Sequence, residues 1–135
     1  MRLFVAILAI AAAGAGVLAA CGGSDHDDMG GMSESHMEES SPVVPGAREV
    51  PVVADALSFS PKRIQIAAKE DVTVVLTSKD LAHDFYVKGI GHITHAGADK
   101  TSRGGLMIDD PGTYRFWCTV NGHKEGGMTG TITVT

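Results

Sequence analysis

Hydrophobic positions form one long run at the start of the chain and many short runs after residue 49. The first twenty residues are almost unbroken in their apolar character. From residue 49 onward, short β-branched runs are interrupted by Gly, Pro and Asp, and apolar side chains recur at every second position. Period-two alternation is typical of half-buried strands, and no later window shows the 3.6-residue period of an amphipathic helix. The pattern predicts an all-β domain.

Turn signals at regular intervals predict about six to eight short strands, as in a β-sandwich. The strongest turn signal is Asp109-Asp110-Pro111-Gly112. The glycine-rich stretch over residues 89–105 is interpreted as a loop. Strands are predicted at residues 50–54, 64–68, 72–77, 84–87, 106–108, 113–118 and 129–135.

The first apolar run has the features of a secretory signal. Arg2 precedes the run, and Leu18-Ala19-Ala20 comes directly before Cys21. This ending resembles the lipobox of bacterial lipoproteins, in which the cysteine becomes a lipid-carrying, palmitoylated N-terminus. We therefore expect residues 1–20 to be a lipoprotein signal peptide and Cys21 to anchor the protein on the extracytoplasmic face of the cell membrane. An uncleaved transmembrane anchor is the alternative, because residues 3–20 are just long enough to span a bilayer.

Residues 21–48 are predicted to form a flexible tether. Positions 22–42 carry six acidic residues and no Lys or Arg, and methionine is their only large apolar residue. Such a segment buries too little apolar surface to offset the entropy of ordering. It is interpreted as a solvated spacer, and a copper-gathering arm is the alternative because thioether and imidazole groups suit copper. The residues concerned are His26, Met29, Met32, His36 and Met37.

The domain predicted after the tether, at residues 49–135, has a balanced charge. Residues 43–135 hold ten acidic and ten basic side chains. Nucleic-acid binding requires a basic surface, so this composition argues against a nucleic-acid partner.

The most informative stretch of the chain covers residues 118–128. It contains Cys118, His123 and Met128, each separated from the next by four residues. A lipidated Cys21 would leave Cys118 without a disulfide partner, and metal ligation would occupy that thiol. Thiolate, imidazole and thioether together suit copper and disfavour hard cations. Zinc is the competitor, but its structural sites usually contain several cysteines and the chain has no C-x-x-C motif.

A trigonal copper site with a weak axial methionine needs a second histidine. His83 is favoured because it lies at a loop-to-strand junction, where a side chain can be held rigidly. His26 and His36 lie in the tether. His92 and His95 are interpreted as exposed loop histidines, and weak binding of a second metal is the alternative for this pair.

Several motifs occur in the same order as in one known family. Together they resemble the cupredoxins, the type 1 blue copper proteins that include plastocyanin, and the four-residue gaps resemble the auracyanin- and rusticyanin-like members. The resemblance implies a Greek-key β-sandwich over residues 49–135. The motifs are His83-Asp84, Pro111-Gly112-Thr113-Tyr114-x-Phe116-x-Cys118, Gly122-His123 and Gly127-Met128-x-Gly130.

The resemblance also implies one copper ion. Dinuclear relatives need a second cysteine in the ligand loop, and residues 119–122 contain none. Many relatives have proline where this chain has Asn121. Asn tolerates a left-handed turn, so we expect the loop to keep its geometry with somewhat greater mobility. The implied ligands are His83, Cys118, His123 and Met128.

Two residues that follow ligands are expected to meet. Asp84 follows His83 and Thr119 follows Cys118, so the two loops must be neighbours. We predict a hydrogen bond between Asp84 and Thr119 that holds the ligands rigid.

The predicted function is one-electron transfer by a lipid-tethered, monomeric copper protein. Four protein ligands leave no open position for a substrate, so catalysis is not expected. Redox partner proteins are expected to exchange electrons through the ring edge of His123, as the resemblance implies. Copper trafficking or resistance is the alternative, with the tether as a collecting arm, and a metal-free adhesion module is a third class.

Overall fold

The computed structural model describes residues 39–135, which fold into nine β-strands and contain no helix. No helix in this part of the chain is long and apolar enough to cross a membrane. The signal peptide, Cys21 and the tether candidates His26, Met29, Met32, His36 and Met37 lie outside the described residues. The strands are β1 (Arg48–Asp55), β2 (Ser58–Ser60), β3 (Arg63–Ile66), β4 (Val72–Ser78), β5 (His83–Val87), β6 (Gly91–Ala96), β7 (Thr101–Leu106), β8 (Gly112–Trp117) and β9 (Thr129–Val134).

The strands form two sheets, which confirms the predicted all-β sandwich. The four-stranded sheet has the order β2-β1-β4-β7, and the five-stranded sheet has the order β3-β9-β8-β5-β6. β1 pairs in parallel with β4, and β3 pairs in parallel with β9, while the other pairs are antiparallel. Apolar side chains at alternate positions face the space between the sheets and form one core.

The prediction for residues 89–105 was wrong, because this stretch holds β6 and most of β7. The strand predicted at residues 106–108 is also misplaced, since β7 ends at Leu106. Glycine misled both interpretations. A Cβ on Gly104 would lie 2.1 Å from the carbonyl oxygen of Ile93, so glycine is needed here for close packing of strands and not for a turn.

Three buried phenylalanines pack beneath the segments that carry two of the predicted ligands, at the start of β5 and just after the end of β8. The rings of Phe85 and Phe116 stack with centroids 4.4 Å apart, and Phe59 contacts both rings edge-on. Phe85 lies two residues after His83, and Phe116 lies two residues before Cys118. Aromatic packing therefore fixes β5, which begins with His83, and β8, which ends directly before Cys118.

The last residues of the predicted tether lie against the sandwich. Ser41 donates its backbone N–H to the carbonyl of Ile93 in β6 and accepts a hydrogen bond from the N–H of Gly105 in β7. The hydroxyl of Ser40 lies 2.8 Å from that of Thr94. The segment from Ser40 thus connects the edges of the two sheets.

Candidate metal centre

His83 is the first residue of β5, and its side chain is fully buried. Its Nε2 lies 2.7 Å from Oδ1 of Asp80. An ionised carboxylate only accepts hydrogen bonds, so Nε2 must carry a hydrogen, and in the neutral imidazole this leaves the lone pair on Nδ1. The same hydrogen bond holds the pKa of Asp80 below its usual range. Nδ1 is therefore prepared to bind a cation.

Residues 118–128, which we call the ligand loop, connect β8 to β9. The loop is closed by hydrogen bonds from the N–H of Cys118 to the carbonyl of Met128 and from the N–H of Met128 to the carbonyl of His123. A further bond joins the N–H of Gly126 to the carbonyl of Gly122 at 3.0 Å. The three candidate ligands of the loop are thus connected directly through its backbone.

A tight turn within the loop presents His123. The N–H of His123 donates to the carbonyl of Val120, and Gly122 at the third position has φ of +81°. Asn121 is not among the described residues with positive φ, so the left-handed position of this turn belongs to Gly122 and the tolerance of asparagine for that conformation is not used. Asn121 occupies the second position of the turn, where proline is also favoured, and this explains how the two residues can replace each other.

Three ligand atoms converge at one buried point. Nδ1 of His83 lies 3.2 Å from Nδ1 of His123, and Sγ of Cys118 lies 3.9 Å from the first and 3.4 Å from the second. A triangle with these sides has a point about 2 Å from every corner, close to the metal–nitrogen bond of about 2.0–2.1 Å and the metal–sulfur bond of about 2.3 Å found for zinc. The three residues fit a first-row metal ion.

Met128, the fourth predicted ligand, is also fully buried. Its backbone is hydrogen-bonded to both Cys118 and His123, so it lies beside the other two residues of the loop. A thioether, a thiolate and two imidazoles are soft donors, and they favour copper over calcium or magnesium.

Burial of the Cys118 thiol controls its ionisation. It raises the pKa of Cys118 to about 11, while backbone N–H groups of Asp84 and Val120 act in the opposite direction by donating to the sulfur. The N–H of Asp84 lies 3.5 Å from Sγ. The metal-free site therefore holds a protonated thiol at neutral pH, and two N–H donors are ready to stabilise the thiolate.

The hydrogen bond predicted between Asp84 and Thr119 is present. Oδ1 of Asp84 accepts the backbone N–H of Thr119 at 2.5 Å, and Oδ2 accepts its hydroxyl. Asp84 is buried and Thr119 is exposed, so both bonds are partly shielded from water. They join the residue after His83 to the residue after Cys118.

Two contributors were missed by the sequence reasoning. Asp80 also accepts the backbone N–H of Ala56 through Oδ2 at 3.1 Å, which ties the β1–β2 turn to the loop before His83. Leu57 in that turn lies against the ligand loop, since its Cδ1 would be 2.8 Å from a Cβ on Gly126. An aspartate three residues before a candidate histidine ligand was the available signal for Asp80.

His92 and His95 were expected in a loop, and this was wrong because both lie in β6 and are partly buried. In the described part of the chain, the one group of three or more His, Cys, Asp or Glu side chains with converging ligand atoms is His83, Cys118 and His123. The structure does not bring His92 and His95 into such a group.

Comparison with protein families identifies a family for the domain. A family model described as copper binding proteins of the plastocyanin/azurin family matches residues 47–135. No curated protein sequence matches the chain.

Solved structures share the fold. Auracyanin B is 22% identical with a TM-score of 0.61, and the match covers 71% of this chain and 96% of that one. Auracyanin A, described as a "blue" copper protein from the green thermophilic photosynthetic bacterium Chloroflexus aurantiacus, is 19% identical with a TM-score of 0.59, covering 67% and 100%. A chain of a heme-copper terminal oxidase dimer is 21% identical with a TM-score of 0.54, covering 72% and 71%. At these identities the likeness shows the fold alone.

Proposed function

The chain belongs to the plastocyanin/azurin family of copper-binding proteins, and we propose from this that it carries single electrons through one type 1 copper centre. The observation that carries the proposal is the convergence of Nδ1 of His83, Nδ1 of His123 and Sγ of Cys118 at one buried position. Copper supplies the one-electron couple between Cu(I) and Cu(II) when it is bound there. Met128 would supply the weak axial ligand.

The side chains around the site favour electron transfer over catalysis. His83, Cys118 and Met128 are fully buried, so water and substrates have little access. Four protein ligands would leave no coordination position for a substrate, and we therefore expect no enzymatic activity. The hydrogen bonds of Asp80 to His83 and of Thr119 to Asp84 hold the ligands in place, and rigid ligands suit both oxidation states with little rearrangement.

His123 is the ligand that reaches toward solvent, with 9% of its surface exposed. We propose that its ring edge exchanges electrons with partner proteins. Gly122, Gly126 and Gly127 lie in the same loop and carry no side chain that would cover it.

We also propose that the protein acts at the extracytoplasmic side of the cell membrane, held as a monomer by a lipid on Cys21. The lipobox-like ending before Cys21 supports the anchor, and the acidic tether composition supports a spacer between lipid and domain.

The test is an optical and EPR spectrum of the copper-loaded full chain. We expect an intense thiolate-to-Cu(II) band at roughly 600 nm, as this ligand set gives, and reversible reduction and oxidation. The Cys118→Ser variant should lose the band, whereas Ser102→Ala, on β7 of the other sheet, should keep it.

Copper handling is the outcome that would replace the proposal. Binding of Cu(I) alone, fast metal exchange, and loss of binding in a Met29→Leu/Met32→Leu/Met37→Leu variant would indicate copper delivery. A chain that bound no copper would contradict both functions.

A further inference from the structure

The five-stranded sheet presents a face whose charge differs from that of the rest of the domain. Within its strands the one carboxylate is Asp84, which is buried and bonded to Thr119. The arginines of these strands are Arg63 and Arg115, and both are exposed. Because the domain as a whole has balanced charge, this face concentrates positive charge that is compensated elsewhere.

The arginines of the two sheets differ in their pairing. In the four-stranded sheet, Arg48 is ion-paired with Glu70 and Arg103 with Glu49. Among the described residues, the ion pairs do not include Arg63 or Arg115. The five-stranded sheet therefore offers unpaired cations where the other sheet has neutralised its own.

Sheet register brings these cations into one row. Arg63 is the partner of Thr131, and Thr131 is the partner of Arg115 on its other side. The N–H of Lys88 donates to the carbonyl of Arg115 at 2.9 Å, so Lys88 continues the row beyond β8. Neighbouring strands are about 4.8 Å apart, and the row crosses β3, β9, β8 and the end of β5. A row of this width matches the surface of a partner protein better than it matches a small ion.

Two aromatic residues lie beside this row, next to the metal centre. Trp117 packs against Tyr86 with ring centroids 5.0 Å apart, and Nζ of Lys124 lies 4.1 Å from the centre of the Trp117 ring. Lys88, Arg115, Trp117 and Lys124 together line one surface depression. A second depression runs from Trp117 along the ligand loop, where Glu125 is the one acidic residue of its lining.

We propose that this face, centred on Trp117 and formed by Arg63, Lys88, Arg115 and Lys124, docks an acidic redox protein. The proposal rests on the electron-carrier function proposed above. Positive charge attracts an acidic partner from a distance, and aromatic groups provide contact area once it is bound. Trp117 directly precedes Cys118 and Lys124 directly follows His123, so a partner on this face would lie beside two metal ligands.

The experiment measures electron transfer from the reduced full chain to an acidic c-type cytochrome by stopped flow. One electron passes from the protein to the ferric cytochrome, and the bimolecular rate is recorded over a range of ionic strengths. Arg115→Gln/Lys124→Gln is compared with Lys69→Gln/Arg103→Gln, which removes the same charge outside this face. The absorption band and the potential of each variant are measured first.

We expect the wild-type rate to fall with rising salt, because steering by charge is screened. At low salt, the Arg115→Gln/Lys124→Gln variant should lose about tenfold in rate, within the range that steering supplies, while the control changes less than about twofold. Arg115→Lys/Lys124→Arg should retain the rate. Equal losses in both double variants would show an effect of net charge alone and would overturn the proposal.

Two further measurements test whether this face binds a small anion or a membrane instead of a protein. Hexacyanoferrate(III) tests a small anion, and vesicles with anionic phospholipid test a membrane surface. Loss of reactivity or binding confined to either of these probes, with an unchanged cytochrome rate, would overturn the proposal.

Amide shifts of the isotope-labelled protein on addition of the acidic cytochrome test docking without electron transfer. Shifts at Lys88, Arg115, Trp117 and Lys124 are expected even if the electron-carrier function fails. Shifts confined to the surface around His123 would contradict this docking face while leaving that function intact.

Discussion

Asp80 holds His83 from the side opposite to its ligand atom. Oδ1 of Asp80 lies 2.7 Å from Nε2 of His83, and Oδ2 accepts the N–H of Ala56. The carboxylate is therefore fixed by the β1–β2 turn while it fixes the tautomer and the orientation of the imidazole. A negative charge beside Nε2 makes Nδ1 a stronger electron-pair donor to a bound metal. This would stabilise Cu(II) more than Cu(I).

Removing the charge of Asp80 should therefore raise the reduction potential. In Asp80→Asn the amide oxygen can still accept the hydrogen bond, so the ring should stay in place while Cu(II) loses stabilisation. A tenfold preferential loss of Cu(II) affinity would raise a one-electron potential by about 59 mV. Asp80→Ala, which also removes the acceptor, should lower metal affinity by about 10- to 100-fold.

Voltammetry and competition titrations measure both effects. Asp109→Asn makes the same chemical change at an exposed site after the end of β7 and should leave the potential unchanged. A potential in Asp80→Asn equal to that of Asp109→Asn would show that the carboxylate does not tune the centre.

Asp84 should contribute to stability as well as to the site. Asp84→Ala removes the acceptor of two hydrogen bonds from Thr119. Because Thr119 is exposed and its donors can then bind water, each lost bond should lower the free energy of unfolding by about 0.5–1.5 kcal/mol. Metal affinity should fall with it, because the two ligand-bearing segments lose their connection. Thr119→Val removes only the hydroxyl bond and should have a smaller effect on both quantities. Denaturant unfolding and the potential are the measurements, and no change in either for Asp84→Ala would refute the role of this bond.

The sequence predicted the metal ligands more accurately than the strand boundaries, because the two predictions depend on different features of the sequence. His83, Cys118 and His123 were recognised from residue chemistry and order, which do not depend on exact strand ends. The hydrogen bond between Asp84 and Thr119 could be predicted because each residue is next to a ligand, and two ligands of one ion must lie close together.

The incorrect or missing predictions depend on contacts between distant parts of the chain, which a single sequence does not show. β6 and β7 were missed because Gly104 and its neighbours indicate turns locally, whereas in the fold glycine allows Ile93 to pack closely. Asp80 was missed because its role depends on contacts of a loop with the β1–β2 turn. For Asn121, tolerance of a left-handed turn was the wrong reason to expect the loop geometry to be kept, because Gly122 takes that conformation.

Gly130 should tolerate no side chain. A Cβ there would lie 2.1 Å from Cζ of Phe116 and 2.7 Å from the carbonyl oxygen of Lys62. Phe116 is fully buried and stacked on Phe85, so it cannot move away without disturbing the core. We expect Gly130→Ala to lower the free energy of unfolding by about 1–3 kcal/mol, as overpacking does.

Gly97→Ala is the matched control for Gly130→Ala. A Cβ at Gly97 would make only an ordinary contact of 3.7 Å with Lys100. Thermal or denaturant unfolding of the two variants compares them directly, and equal stabilities would contradict the packing argument.

The raised pKa of Cys118, about 11, predicts that metal binding releases a proton. At pH 8 the metal-free thiol is protonated, and a metal binds the thiolate, so about one proton should leave per copper bound. Calorimetry at pH 8 in two buffers with different ionisation enthalpies measures this number. A value near zero would mean that the thiol is already ionised.

The same thiol should make the metal-free fold less stable in alkali. Its folded pKa of about 11 lies above the ordinary value of about 8.5 for an unfolded cysteine. Between these values the folded state binds more protons than the unfolded state, so the free energy of unfolding falls as pH rises. Cys118→Ala has no thiol to titrate, and the stability of the wild type relative to this variant should therefore decline from about pH 8.5 upward. A difference that stays constant up to pH 10.5, on the order of two units above that value, would contradict the burial of a neutral thiol.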